Sequence, residues 1–310
     1  MSLDPEARTY LEATAALGLP SLREQGAKAA RLNLALRAAV LAGPVEDVAR
    51  VEDVHVPGPA GPIPVRLHAS EATSPLPLVV YFHGGGWVTG DLDTHDPVGR
   101  ALANRSGCLV ASVDFRSAPE HPFPAPLDDC WAVVEWLAAL GAEVGGDPSR
   151  IAVFGDSAGG NLAAAVSLRA RDRGGPSLAA QVLVFPVLDH DLNRPSYRAN
   201  GTGFGLTRDS MAWYWEQYLL GGADPNSPEL SPLRASDLSG LPPALVITAE
   251  FDPLVDEGVE YARRLAEAGV PVEHLNEAGM IHGYLRMGGV MSRAGKTLDD
   301  CARFLGGRLG

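Results

Sequence analysis

The sequence predicts an α/β fold, a mostly parallel sheet with helices on both faces. Three observations carry that prediction. From residue 78 onward, short apolar runs alternate with stretches of helical pattern. Most of the short runs are apolar throughout, as strands covered on both faces are. One of them, 151–154, leads through Gly155-Asp156-Ser157-Ala158-Gly159-Gly160 straight into the helical stretch 161–168. Strand, sharp turn and helix in direct succession is the unit from which such a sheet is wound.

The elements follow in order. Residues 1–45 read as a helical segment set apart from the rest. Within it Leu32, Leu36 and Ala39 recur at i, i+4 and i+7, with Arg31 and Arg37 off that face, the stripe of an amphipathic helix. Gly43-Pro44 ends it. Two β-like runs, 51–56 and 63–68, are joined by a Pro/Gly turn over 57–62. Strands are then expected at 78–82, 109–115, 151–154, 181–185, 244–248 and 272–275, and helices at 127–140, 161–171, 257–268 and 297–305. Residues 186–243 contain no strand pattern. They hold an Asn- and Gly-rich loop, 200–205, and an aromatic helix, 208–220, on which Met211, Trp215 and Tyr218 share a face. That stripe reads either as core packing or as part of an insertion that folds over the site and lines its pocket, with Trp87 beside it. Gly201-x-Gly203-x-Gly205 follows no strand and lacks the spacing of a dinucleotide loop, so it is set aside.

Composition bounds the function. A chain of 310 residues forms one large α/β domain or two small ones. With 38 acidic against 25 basic residues the net charge is −13, which argues against nucleic acid and anionic membrane surfaces as partners. No stretch approaches the ~20 uninterrupted apolar residues of a membrane span. The first ten residues carry Asp4, Glu6 and Arg8 and no long apolar core, so no secretory signal is expected. Cys108, Cys130 and Cys301 are widely spaced and form no metal-ligand pattern. They read as small buried hydrophobes in a reducing compartment, and the expected location is the cytoplasm.

Chemistry gathers at Ser157. Gly155, Ser157 and Gly159 spell G-x-S-x-G, the nucleophile elbow, in the strand-to-helix context it requires. A serine on so tight a turn leaves no room for neighbouring Cβ atoms, and glycine has none. The helix it opens aims its first N–H groups and positive dipole end at the same point. The second signal is His83-Gly84-Gly85-Gly86-Trp87, directly after the run 78–82. Acyl transfer builds a negative oxygen on the substrate carbonyl, and fixed backbone N–H groups from such a glycine loop, with that of Ala158, receive it. Gly84, Gly85 and Gly86 are all candidate donors. His83 reads as a brace for the loop.

A triad on this scaffold needs an acid and then a histidine after the serine. His190 lies in Leu188-Asp189-His190-Asp191, a solvated turn, and His274 lies inside a β-like run. His282 stands in Gly279-Met280-Ile281-His282-Gly283, a loop after the last strand, where an imidazole at the strand tips is wanted. Asp252, immediately after 244–248, would sit at the same carboxyl edge as Ser157. Asp256 and Glu257 compete, but they start the next helix, where acidic residues have a capping role. Asp156 is expected to hold loop geometry.

HGGGW at 83–87, GDSAGGN at 155–161, DPL at 252–254 and HGY at 282–284 together resemble the hormone-sensitive-lipase family of α/β-hydrolase esterases. Asp114-Phe115-Arg116-Ser117-Ala118-Pro119-Glu120, followed by Pro122-Phe123-Pro124-Ala125, is similar to the family's Tyr-Arg-Leu-Ala-Pro-Glu stretch, with Phe115 and Ser117 as departures. The likeness runs from about residue 77 to 285 with motif order intact. It implies an α/β-hydrolase fold with a mostly parallel eight-stranded sheet, and a catalytic domain over 46–310. It also implies a helical cap made of 1–45 with 190–220, and no cofactor and no metal. The implied activity is a serine carboxylesterase acting on small-molecule esters of short-to-medium acyl chains through Ser157, His282 and Asp252. An amidase or lactonase would use the same triad. A ligand-binding receptor on the scaffold is the alternative without chemistry, and it is distinguished by a lost histidine, which this chain retains. The resemblance further implies a homodimer through the last strand and the C-terminal helix.

Overall fold

The computed structural model describes residues 2–71 and 75–310. Two helices come first, α1 (Pro5–Ala16), capped by Asp4, and α2 (Leu22–Ala42), opened by a Ser21/Glu24 capping box and broken at Gly26. The Pro/Gly turn then folds β1 (Arg50–Gly58) onto β2 (Gly61–Ala69) as an antiparallel hairpin, Gly58 facing Gly61. The chain continues through β3 (Leu76–Phe82), α3 (Leu92–Ser106), β4 (Leu109–Val113), α4 (Ala125–Leu140), β5 (Gly146–Asp156), α5 (Ala158–Arg173) and β6 (Ala180–Val184). After it come the short α6 (Pro195–Asn200), α7 (Arg208–Tyr218), β7 (Ala244–Phe251), α8 (Val255–Glu267), β8 (Val272–Ile281) and α9 (Arg293–Leu309).

The eight strands form one sheet in the order β1-β2-β4-β3-β5-β6-β7-β8. The hairpin joins it antiparallel, and β4 through β8 are parallel throughout. Alternate residues of each central strand supply two apolar layers. Leu78, Val80, Phe82, Val153, Leu183 and Val246 pack under α4, α5 and α8, while Val79, Tyr81, Phe154, Val182 and Ile247 pack under α3 and α9. All predicted strands are present. Helix α3 escaped the sequence reading because Pro97 and Gly99 interrupt it and its composition is polar.

One expectation is reversed. The stripe Leu32, Leu36 and Ala39 on α2 faces solvent, Leu32 and Leu36 being 59% and 68% exposed, while the side bearing Arg31 and Arg37 turns inward. The reason is what α2 covers. It packs beside α7, bound to it by a bidentate Arg23–Glu216 pair, over the open carboxyl edge of the sheet. An apolar stripe is drawn inward only where the underlying surface is apolar core, and here a cavity lies beneath.

Parallel strands deliver their following loops to one edge. Register does the rest. Phe82 of β3 lies opposite Gly155 of β5, and Phe251 of β7 lies opposite Ile281 of β8, so the residues that follow each strand emerge side by side.

Just past β4, Asp114 is largely enclosed, and burial pushes its carboxyl up to about 6 from an ordinary 3.8, with Asp91 and Asp93 adding repulsion against Arg66. The folded chain therefore binds the proton more tightly than the unfolded chain, and this residue's contribution to stability is lost as pH rises through that window. Asp114→Asn is expected to raise unfolding stability at pH 7.5 by about 1–2 kcal/mol, allowing for partial exposure. At pH 4 the gain should be close to nothing; urea titrations at the two pH values measure it.

Candidate active site

Ser157 sits between β5 and α5 with φ 55° and ψ −118°, a backbone region few side chains occupy. Its surroundings over-determine that conformation. Its N–H donates to the Val184 carbonyl at 2.9 Å, and its own carbonyl accepts from Val187 and Asn161, each at 3.1 Å. The flanking glycines are steric necessities. A Cβ on Gly155 would stand 2.1 Å from the Gly159 carbonyl oxygen, and one on Gly159 would stand 1.9 Å from that of Phe82.

His282 joins the serine to an acid. Its Nε2 lies 2.8 Å from Ser157 Oγ and its Nδ1 2.7 Å from Asp252 Oδ2. A carboxylate accepts, so Nδ1 carries the hydrogen and Nε2 is left to accept from the hydroxyl. Asp252 is fully buried, and its second oxygen accepts the Leu254 N–H at 2.9 Å. The Asn200 amide holds the backbone carbonyls of Glu250 and Asp252. The competing acids are engaged elsewhere. Asp256 accepts from the Ser196 N–H at 2.8 Å, and Glu257, its carboxyl pushed well up by burial, accepts from Leu188 at 2.7 Å.

Beside the serine, Asp156 Oδ1 receives the Tyr81 hydroxyl at 2.9 Å and the Gly84 N–H at 3.1 Å. Burial raises its carboxyl, opposed by the Tyr81 hydrogen bond. One candidate donor, Gly84, is thus committed to Asp156. The N–H groups of Gly85, Gly86 and Ala158 have no partner among the described residues. Gly85 and Gly86 line the space in front of Ser157, and Ala158 opens α5 directly after it, a helix N-terminus where an anionic oxygen is favoured. His83 donates from Nδ1 to the Gly84 carbonyl at 2.8 Å and stacks between Phe115 and His95, and burial depresses its pKa. A buried neutral ring in that position is a brace.

The cavity above Ser157 measures about 300 Å³. Its floor is the strand edge that carries Ser157 and His282, and its walls come from α1 and α2 (Tyr10, Leu34, Arg37, Leu41) and from α7 and the loop before it (Leu206, Met211, Tyr214). Of the four residues read as pocket lining, Met211 alone faces it. Trp87, Trp215 and Tyr218 instead pack against one another, the Trp87 and Tyr218 rings stacked at 4.2 Å and Trp87 and Trp215 at 4.7 Å, inside the apolar core. The cavity side of α7 is the 211/214 spacing, three residues apart. There Tyr214 lies so close to the glycine loop that a Cβ on Gly86 would meet its ring at 2.1 Å. The i, i+3 partner of Met211 was the signal that would have found it.

His190 contacts Asp189 at 3.6 Å and His274 lies 3.0 Å from the Thr248 hydroxyl, both away from Ser157. The three cysteines are free and buried. Among the described residues no group of three or more His, Cys, Asp or Glu side chains is placed to hold a metal ion, and no helix is long and apolar enough to cross a membrane.

Known proteins resemble the chain over most of its length. Residues 79–286 match a family described by its alpha/beta hydrolase fold. The chain is 49% identical over 240 residues to carboxylesterase NlhH of Mycobacterium tuberculosis, covering 76% of this chain and 75% of that one. Among solved structures, an ester hydrolase from the metagenome of Lake Arreo superposes with a TM-score of 0.95 at 40% identity, over 98% of each chain. A thermostable esterase from Pseudomonas putida superposes with a TM-score of 0.96 at 35% identity, over 100% of this chain and 98% of that one.

The glycine contacts make a direct test. Gly159→Ala drives a methyl group into the backbone of β3 and is expected to cost more than about 3 kcal/mol or to abolish folding. Gly306→Ala, on the exposed side of α9 with open space around it, should gain about 0.5–1 kcal/mol. Paired denaturant melts check both.

Proposed function

This chain belongs to the hormone-sensitive-lipase family of α/β-hydrolase esterases, and from that premise we propose that its carboxylesterase activity runs through Ser157, His282 and Asp252. The observation that carries the assignment is the single imidazole bonded on one side to the elbow serine and on the other to a buried carboxylate.

Ser157 Oγ attacks the ester carbonyl while His282 Nε2 takes its proton. The tetrahedral oxyanion turns into the N–H groups of Gly85, Gly86 and Ala158, which are already in place and reorganise little. Asp252 fixes the ring tautomer and stabilises the imidazolium. His282 then returns the proton to the alkoxide oxygen as the C–O bond breaks, leaving an acyl-enzyme and free alcohol. Water, deprotonated by the same nitrogen, attacks the acyl carbon and releases the acid and Ser157. Asp156 acts upstream of this chemistry by holding the glycine loop. The layer formed by residues 1–45 with 190–220 serves as the cap, and a dimer through β8 and α9 fits the family likeness.

The roles separate in mutants. Ser157→Ala should fold normally and lose about 10⁶ in turnover, with an organophosphonate labelling the wild type at this serine alone. Asp252→Asn should lose orders of magnitude in kcat, and Asp256→Asn little. The reverse ranking of the two acids, or an active Ser157→Ala, would overturn the assignment.

Cavity size sets the acyl range. Each buried methylene adds about 0.8 kcal/mol, about fourfold in kcat/KM, until the cavity ends. With Leu34, Leu41, Met211 and Met287 as walls, chains of roughly four to eight carbons are expected to be preferred. Met211→Ala should move the optimum of a 4-nitrophenyl ester series toward longer chains. Trp215→Ala should lower stability and leave the optimum in place, because that ring faces core.

A further inference from the structure

The cavity holds two cations that the triad chemistry does not use. Arg286, four residues after His282, faces it and has no hydrogen bond or ion pair among the described residues. Arg37 reaches it from the inward side of α2. Its guanidinium donates to the Thr14 hydroxyl at 3.0 Å and lies 5.9 Å from the centre of the Tyr10 ring, with no carboxylate partner. Acids outnumber bases by 38 to 25 in this chain, and its other inward-turned arginines show what is usual. Arg31 holds Glu120, Arg66 holds Asp53, Arg116 holds Asp129 and Arg169 holds Glu229. Half-enclosed guanidinium groups in an acidic protein find carboxylates unless the geometry keeps carboxylates away.

The geometry here does so. Among the described residues Asp156 is the one acid lining the cavity, and its carboxylate is bonded to Tyr81 and Gly84. Glu6, in the adjoining groove, is bonded to Ser292 through both backbone and hydroxyl. Asn33, Gln25 and Ser210 add polar lining on the same walls. The surroundings feel the charge, since Arg286 adds to the burial that holds His95 well below its ordinary value.

We propose that this cavity selects esters carrying a second, ionised carboxyl group, held by Arg286 and Arg37 while Ser157 attacks the ester carbonyl. The inference rests on the serine-esterase reading. Two arginines lining one small cavity suit a planar carboxylate, to which a guanidinium donates in a fork. The rest of the cavity wall, largely apolar, takes the methylenes between the two groups. Such a substrate is either the monoester of a dicarboxylic acid or an acylated hydroxy acid, according to which side of the ester bears the charge.

Matched pairs test it by pH-stat. Monoethyl glutarate is compared with ethyl glutaramate, and 4-acetoxybutyrate with 4-acetoxybutyramide; each pair differs only in a carboxylate replaced by an amide. In at least one pair the anion is expected to be favoured about tenfold or more in kcat/KM, carried mainly by KM. The pair that shows it identifies the charged side. The preference should shrink in about 0.5 M salt, fall toward unity in Arg286→Met, fall less in Arg37→Met and persist in part in Arg286→Lys. Parity or amide preference in both pairs overturns the proposal, as does a preference unmoved by either methionine variant. Should Arg286→Met fail to fold, the lysine variant and the salt series decide. If the wild type hydrolyses none of the four esters and no 4-nitrophenyl ester, the esterase reading itself has failed.

Discussion

The contact on which the site depends is the seating of the first turn of α5 on the carboxyl end of β3. Gly159 meets the Phe82 and His83 carbonyls with no space for a side chain. That approach sets the distance between the elbow and the glycine loop, and so brings Asp156 within reach of both the Tyr81 hydroxyl and the Gly84 N–H. One carboxylate then ties strand, loop and elbow together in a buried place where an unpaired polar group would be costly. With Gly84 spoken for, the following N–H groups are the ones left to face the cavity. The strain at Ser157 is held by the same arrangement, since its backbone is bonded to the ends of β6 and α5 on either side.

The other half of the site follows the same logic on different strands. Pairing of Phe251 with Ile281 means that the next residues along, Asp252 and His282, leave the sheet as neighbours. The imidazole also meets the edge of Phe185, at a centroid distance of 4.8 Å, so its plane is fixed by packing as well as by hydrogen bonds. Serine, acid and histidine therefore come from three strand ends whose spacing the ladder dictates. Backbone hydrogen bonding thus defines much of the geometry of the site.

This explains what was legible in the sequence. The strands are short, apolar and bounded by turn residues, and the elbow and glycine loop are local steric problems with few residue solutions, so pattern singled out Ser157, Gly84 to Gly86, Asp252 and His282, which the fold brings to one edge. Choosing Asp252 over Asp256 needed only its place at a strand end. The covering layer was harder. On α7 the periodicity of 211, 215 and 218 marked a buried face, and burial there turned out to be against Trp87 in the core, while the cavity side is the 211 and 214 spacing. Periodicity reports that a face is buried, and says nothing of what buries it. On α2 it misled outright, because the inward side covers a cavity, with Asn33 and Arg37 facing it, and the apolar stripe was left in solvent. The commitment of Gly84 to Asp156 joins residues 72 apart, a pairing no local pattern encodes.

The division between sheet and covering helices also separates two kinds of constraint. Residues at the strand ends carry packing and chemistry together, so a change at Gly159 or Asp156 disturbs both. Residues on the inward side of α2 face open space, and side chains such as Asn33 and Arg37 have little core to fill. Substitution at such positions costs little stability, since large losses come from cavities, strain and orphaned buried polar groups. The wall can therefore change its size and charge while the triad stays fixed. Arg286 is the exception that ties the two together. It projects into the cavity from the turn that follows His282, so its position is tied to that of His282, whereas Arg37 is carried by α2. A substrate group bound by Arg286 is thereby registered against the nucleophile, and one bound by Arg37 is registered against the covering helices.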